Sequence, residues 1–142
     1  MSGKRDRRDT AGEQSLERIA QAVRRRNRQA EQFLEQKKRR AHREVDRLVA
    51  EFLDIDPDLD KVLLFGSLAR NQVRSEYFDI DLAVRSNRFL QLVACGLRST
   101  FSVELVELDR VPAPMRTAIK RYGKIVYEKK KLCSEPVMTL GF

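Results

Sequence analysis

From Glu13 to Asp56 the chain contains neither proline nor glycine, and no other feature restricts its fold as much. Apolar residues recur there at Leu16, Ile19, Val23, Ala30, Phe33/Leu34, Ala41, Val45, Leu48 and Phe52, which is the three-to-four spacing of one helix face. The stripe is thin between Val23 and Ala41, where RRRNRQ and EQKKRR intervene, so this part is expected to project from the body or to meet a partner. Only the last turns, from about Val45 to Leu53, are apolar enough to dock on a core. Residues 1–12 are polar, carry Gly3 and Gly12, and are expected to be disordered in isolation. The helix should end in DIDPDLD (54–60), because Pro57 bars the αR conformation for Asp56 and the acids favour a turn.

Beyond that turn the pattern changes to short alternating elements. KVLLF is apolar enough for a buried strand, and GSLARNQ follows as a turn into a short helix. FDIDLAV predicts a second strand, with Phe78, Ile80 and Leu82 on one face and Asp79, Asp81 and Ala83 on the other. RFLQLVACGL fits a helix of about three turns. FSVELVEL fits a third strand, with Val103 and Leu105 on one face and Glu104 and Val106 on the other. In VPAPMRTAIKRYGKIVYE the prolines precede a helix, Gly123 stands at its C′ position, and KIVY is a last strand. Helices alternating with strands predict an α/β fold with one sheet of about three to four strands flanked by helices, plus a long N-terminal helical arm. The expected division is a basic tail and arm over 1–44, a folded α/β domain over 45–128, and a tail over 129–142 whose apolar end, VMTLGF, folds back or contacts a partner.

Charge is concentrated in the arm. Residues 1–45 hold 14 Lys/Arg and 7 Asp/Glu, a net of +7, whereas residues 46–142 hold 15 and 14, a net of +1. Nucleic acid or an acidic protein are therefore candidate partners of the arm, set against an ordinary solvated helix face. His42 lies in this basic run and is expected to face solvent. Cys95 and Cys133 are far apart, with no CxxC pair and no nearby histidine, which excludes a Cys/His zinc site and fits reduced cytosolic thiols. No run reaches the ~18 apolar residues of a membrane span, and the N-terminus lacks a signal-peptide core, so a soluble, cytoplasmic protein without membrane contact is expected.

Two residues apart on one strand, Asp79 and Asp81 present neighbouring carboxylates that repel one another. A divalent cation removes that difficulty, and hard oxygen donors suit magnesium, which shares its shell with substrate phosphates. At the end of the preceding strand, Gly66 lets the backbone approach a ligand and Ser67 offers a hydroxyl and an amide, a combination suited to a triphosphate. For Gly66 and Asp79 to meet, the two strands must be antiparallel neighbours. Glu104 stands in the apolar strand VELV, where burying an acid costs free energy unless a charge or metal pairs with it; it is the third candidate ligand and a candidate general base.

Gly66-Ser67, a spacer, Asp79-Ile80-Asp81 and a third acid at Glu104 resemble the signature of the DNA polymerase beta-type nucleotidyltransferase superfamily. GSLAR followed by DIDLAV is most similar to its minimal nucleotidyltransferase group, which includes antitoxins paired with HEPN-domain toxins. The resemblance covers roughly residues 45–128. It implies that Gly66 and Ser67 hold the triphosphate, with Arg70 as the motif arginine. It also implies that Asp79, Asp81 and Glu104 bind magnesium, as two ions, and that ATP or another NTP is the substrate. The sequence departs from the pattern at Asn71, where glycine is usual, and at Phe78, where serine often stands; the third acid is commonly aspartate.

The implied activity is magnesium-dependent transfer of an NMP, with AMP foremost, to an acceptor such as a HEPN-type partner. The alternative is a catalytically degenerate fold acting as a protein- or RNA-binding module. A homo-oligomer formed through the N-terminal helix is a further expected assembly. Tyr122 and Tyr127 are expected to pack rather than stack on a nucleotide.

Overall fold

The computed structural model describes residues 2–130, with side chains from Ala11 onward. Its elements are α1 (Ser2–Ile55), β1 (Lys61–Phe65), α2 (Gly66–Ala69), β2 (Ile80–Arg85), α3 (Phe89–Leu97), β3 (Val103–Glu107), α4 (Ala113–Tyr122) and β4 (Lys124–Glu128). Helix α1 starts at Ser2, so the polar segment expected to be disordered is helical instead. Gly3 and Gly12 each disfavour helix by about 1 kcal/mol, but extending a helix already formed avoids the cost of nucleation.

The chain divides into two compact units, Met1–Lys37 and Lys38–Phe142. The described residues of the first belong to α1. The second is built on a four-stranded mixed sheet in the order β3-β2-β1-β4, in which β1 is antiparallel to β2 and β4, and β2 is parallel to β3. The predicted α/β class and the antiparallel pairing of β1 with β2 are both present.

Both faces of the central strands are covered. Val62, Leu64, Ile80, Leu82 and Val84 pack with Ala41, Val45, Leu48 and Phe52 of α1 and with Leu92 and Cys95 of α3. Leu63 and Ala83 point the other way, onto Leu108, Val111 and Ile119. That two-sided burial explains why β1 reads as a near-continuous apolar run. Docking of α1 begins at Ala41, a turn earlier than the expected Val45.

The turn after α1 is closed by Asp56, buried at 4% exposure, whose carboxylate accepts hydrogen bonds from the Asp58 amide (3.0 Å) and from the Ser86 hydroxyl (2.5 Å). Gly123 ends α4 as expected, in extended backbone (φ −73°, ψ 160°). Glycine is needed there for space: a Cβ would lie 2.4 Å from the Ile119 carbonyl oxygen and 3.3 Å from that of Leu64. The end of α4 is thereby held against the end of β1.

His42 is exposed, as expected, and Cys95 is a buried free thiol. Cys133 and the apolar end VMTLGF lie outside the described residues. No helix among the described residues is long and apolar enough to cross a membrane.

Candidate active site

Strand pairing brings the acids together. In the β1–β2 register Phe65 faces Asp81, and in the parallel β2–β3 register Asp81 faces Glu104. Asp79 immediately precedes β2. One carboxylate oxygen from each of Asp79, Asp81 and Glu104 lies within 4.8 Å of the others. Asp81 is half-buried, whereas Asp79 and Glu104 are exposed. The premise that Glu104 is buried is therefore corrected: β3 is an edge strand and Glu104 is exposed on it, while Val103 and Leu105 turn to one core cluster and Val106 packs against the other.

Burial, reinforced by the charge and hydrogen bond of Glu104 and the charge of Asp79, pushes the Asp81 carboxyl up to about 6 from an ordinary 3.8. Three carboxylates this close disfavour full ionisation on their own. Hard oxygen donors in that arrangement fit a magnesium-type cation, which would relieve the repulsion.

The glycine faces this cluster directly. Gly66 adopts φ +77°, and a Cβ there would stand 2.1 Å from Oδ2 of Asp81. Its neighbour across the strands is thus Asp81, one alternation further along β2 than the expected Asp79. Ser67 follows in the first turn of α2. It lines a cavity of about 300 Å³ together with Gln72, Arg74, Tyr77, Asp79 and Asp81. Gln72, Arg74 and Tyr77 were not singled out in the sequence, although a basic and polar loop between two halves of a site is a usable signal.

Arg70 does not line that cavity. It caps the C-terminus of α2, and its guanidinium lies 4.4 Å from the ring centroid of Tyr122, with Arg121 at 5.3 Å from the same ring. Such contacts are worth ~0.5–1 kcal/mol at exposed positions. Tyr122 therefore contacts cations rather than the apolar core, while Tyr127 packs as expected against the α1 side of the sheet.

The departures at Asn71 and Phe78 have local explanations. Asn71 adopts φ +54°, the left-handed conformation that glycine would supply and that asparagine tolerates better than most residues. Its side-chain oxygen accepts a 2.6 Å hydrogen bond from Lys38. Phe78 packs against the core, with its ring 6.3 Å from that of Phe101.

A larger cavity of about 740 Å³ lies at the other ends of β2 and β3, lined by Arg85, Ser86, Arg88, Glu107, Asp109 and Arg110 among others. Its charges largely neutralise one another: Arg85 bonds Asp109 (2.9 Å) and Asp60 (3.3 Å), and Arg110 pairs with Glu107 (2.9 Å). Size alone does not make it the reactive site, since the three converging carboxylates are absent from its lining.

A family profile described as "Polymerase beta, Nucleotidyltransferase" matches residues 48–132. No curated protein matches the chain. Two similar solved structures are "Crystal structure of the toxin-antitoxin with AMP-PNP", at 22% identity and TM-score 0.46, covering 67% of this chain and 85% of that one, and a mutant of the toxin-antitoxin MntA-HpeT, at 22% identity and TM-score 0.42, covering 68% and 85%. The profile spans more than half of the chain, including all four strands and the three acids, and on that ground this chain belongs to the polymerase beta nucleotidyltransferase family.

Proposed function

We propose that this protein transfers a nucleoside monophosphate, AMP foremost, from a nucleoside triphosphate to a hydroxyl acceptor. The observation that carries this reading is the convergence of Asp79, Asp81 and Glu104 within 4.8 Å, against the glycine-led turn at Gly66-Ser67. Asp79, Asp81 and Glu104 would hold magnesium, as one or two ions, which supplies charge neutralisation for the phosphates and the leaving pyrophosphate. Gly66 leaves the space into which the Asp81 carboxylate fits against the turn, and Ser67 would offer its hydroxyl to a phosphate. Arg74, on the cavity wall, adds positive charge towards the phosphates. Arg70, which the motif assigns to the phosphates, lies outside that cavity against the Tyr122 ring, so Arg74 takes the phosphate-facing role in this reading.

In the transfer, the acceptor oxygen forms a bond to the α-phosphorus while the bond to the pyrophosphate oxygen breaks. Pyrophosphate leaves, and the hydroxyl proton passes to a carboxylate, for which exposed Glu104 is the best-placed candidate. The acceptor in this reading is a protein, following the motif resemblance to the minimal nucleotidyltransferase group. The motifs GSLAR and DIDLAV favour a HEPN-type toxin as that partner, with the protein as its antitoxin in the cytoplasm, where ATP and magnesium are available.

Labelled ATP, magnesium and candidate partner proteins test the proposal together. The expected result is label on a partner with wild-type protein and a loss of at least ~100-fold with Asp79→Asn/Asp81→Asn, the scale of removing charge stabilisation from a transition state. Equal labelling by that variant would sink the reading. Magnesium-dependent ATP binding without transfer to any acceptor would favour the binding-module alternative, and RNA binding through the arm would show itself as an affinity that falls steeply with salt.

A further inference from the structure

The first unit of the chain leaves one helix face without an intramolecular partner among the described residues. Leu16, Ile19, Val23 and Phe33 of α1 are 68%, 60%, 50% and 48% exposed. With Arg26 and Ala30 they occupy alternating three- and four-residue steps, the a and d positions of a heptad pattern running from Leu16 to Phe33, about 26 Å of helix.

Three features specify what covers this stripe. First, the flanking e and g positions are Ser15, Ala20, Ala22, Asn27, Gln29, Leu34 and Gln36, none of them charged. A partner of opposite charge would be selected through charges at those positions, and here there are none to select it. Second, the stripe is complementary to itself when reversed. About a centre between Arg24 and Arg25, Leu16 faces Phe33, Ile19 faces the small Ala30, and Val23 faces the aliphatic stem of Arg26, whose guanidinium can reach out to water. A parallel pair would instead set Arg26 against Arg26 and Ala30 against Ala30, placing a buried like-charge contact beside a gap. Third, the charges of Arg18, Arg24, Arg25 and Glu31 all stand at outward b and c positions, so the reversal brings none of them into the seam.

We infer that the arm of one chain pairs antiparallel with the arm of a second copy, in the register that places Leu16 against Phe33. This surface shares no residue with the acidic site, and the inference does not depend on catalysis. Residues 15–36 carry five arginines and three glutamates, a net of +2 per arm, so the pairing works against weak repulsion. Salt screens that repulsion and should tighten the dimer, the opposite of its effect on a complex with nucleic acid or an acidic helix.

Sedimentation of the full chain over a concentration series tests this, with thermal unfolding as the control for the fold. The expected result is a concentration-dependent doubling of the 16.5 kDa chain mass, strengthened roughly threefold between low and high salt as repulsion is screened. Ile19→Glu should abolish the doubling and leave the melting temperature of the second unit unchanged. Adding Ala30→Lys to that variant should restore it, because the introduced carboxylate of each copy then faces the introduced ammonium group of the other. Cysteines introduced by Leu16→Cys and Phe33→Cys in separate chains should cross-link to each other on mixing, as mapped by peptide mass spectrometry. A monomer at all concentrations, a dimer that Ile19→Glu does not disturb, cross-links between like positions only, or a dimer that weakens with salt each overturns the inference.

Discussion

Gly66 and Asp81 stand so close that a single methyl group on Gly66 would overlap the Asp81 carboxylate, at 2.1 Å from Oδ2. The left-handed backbone of Gly66 and the pairing of Phe65 with Asp81 produce this contact together, and it joins the turn that begins α2 to the acidic cluster. Gly66→Ala must therefore displace the carboxylate or the turn, and it also strains φ at +77°. We expect a loss of about 1–3 kcal/mol in folding stability and a fall of at least roughly tenfold in magnesium-dependent ATP affinity. Urea unfolding and titration calorimetry on the same variant measure the two effects separately.

Asp81 gives the metal-free protein a distinct pH dependence. Its carboxyl is pushed up to about 6, first by burial and then by Glu104 and Asp79, so between about pH 4 and about pH 6 the native state binds its proton more tightly than the unfolded chain does. The sign follows: this contribution is complete below about pH 4 and is lost as pH rises through about 6. Subtracting the pH profile of Asp81→Asn from that of the wild type, both in chelator, should leave a stability contribution that declines over this window. At mildly alkaline pH magnesium should raise the melting temperature of the wild type and leave that of Asp81→Asn nearly unchanged.

At Asn71 the expected pattern separates backbone from side chain. With φ at +54°, Asn71→Val should cost about 1–2 kcal/mol, because a β-branched residue is disfavoured in the left-handed region. Asn71→Gly should cost less than about 1 kcal/mol: it keeps the conformation and gives up only the exposed contact with Lys38. Thermal unfolding of the two variants side by side checks the order, and equal losses would mean that the side-chain bond matters more than the backbone.

Cys95 should be chemically quiet. Burial, followed by its contact with the Glu51 carboxylate (2.8 Å), pushes the thiol up to about 11, which leaves very little thiolate at neutral pH. Alkylation followed at the Cys95 peptide should proceed only as fast as global unfolding, and a labelling rate in native buffer close to that in denaturant would refute the assignment.

Much of the architecture was legible because periodicity is a local property. A stripe at helical spacing needs only its own helix to be recognised, and the alternation in FDIDLAV assigns Ile80 and Leu82 to one side and Asp81 and Ala83 to the other without reference to neighbours. The three acids were legible for a related reason: carboxylates two apart on one strand and at the middle of another are costly to place together unless a cation joins them.

What the residues alone left undecided depends on which strands become neighbours. Residue spacing drew Gly66 towards Asp79, but Phe65 pairs with Asp81 and Gly66 turns onto the Asp81 carboxylate, because hydrogen-bond pairing across strands is decided by the whole sheet. An acid within VELV reads as buried until β3 is found at the sheet edge with the Glu104 side chain exposed, which spares it the cost of desolvation. Arg70, placed by its motif near the phosphates, is drawn to the Tyr122 ring, since β4 pairs with β1 and brings the end of α4 alongside α2. Local preference thus determined the elements and the identity of the acids. Long-range strand order, which no single segment encodes, decided their neighbours, their exposure and hence their chemistry.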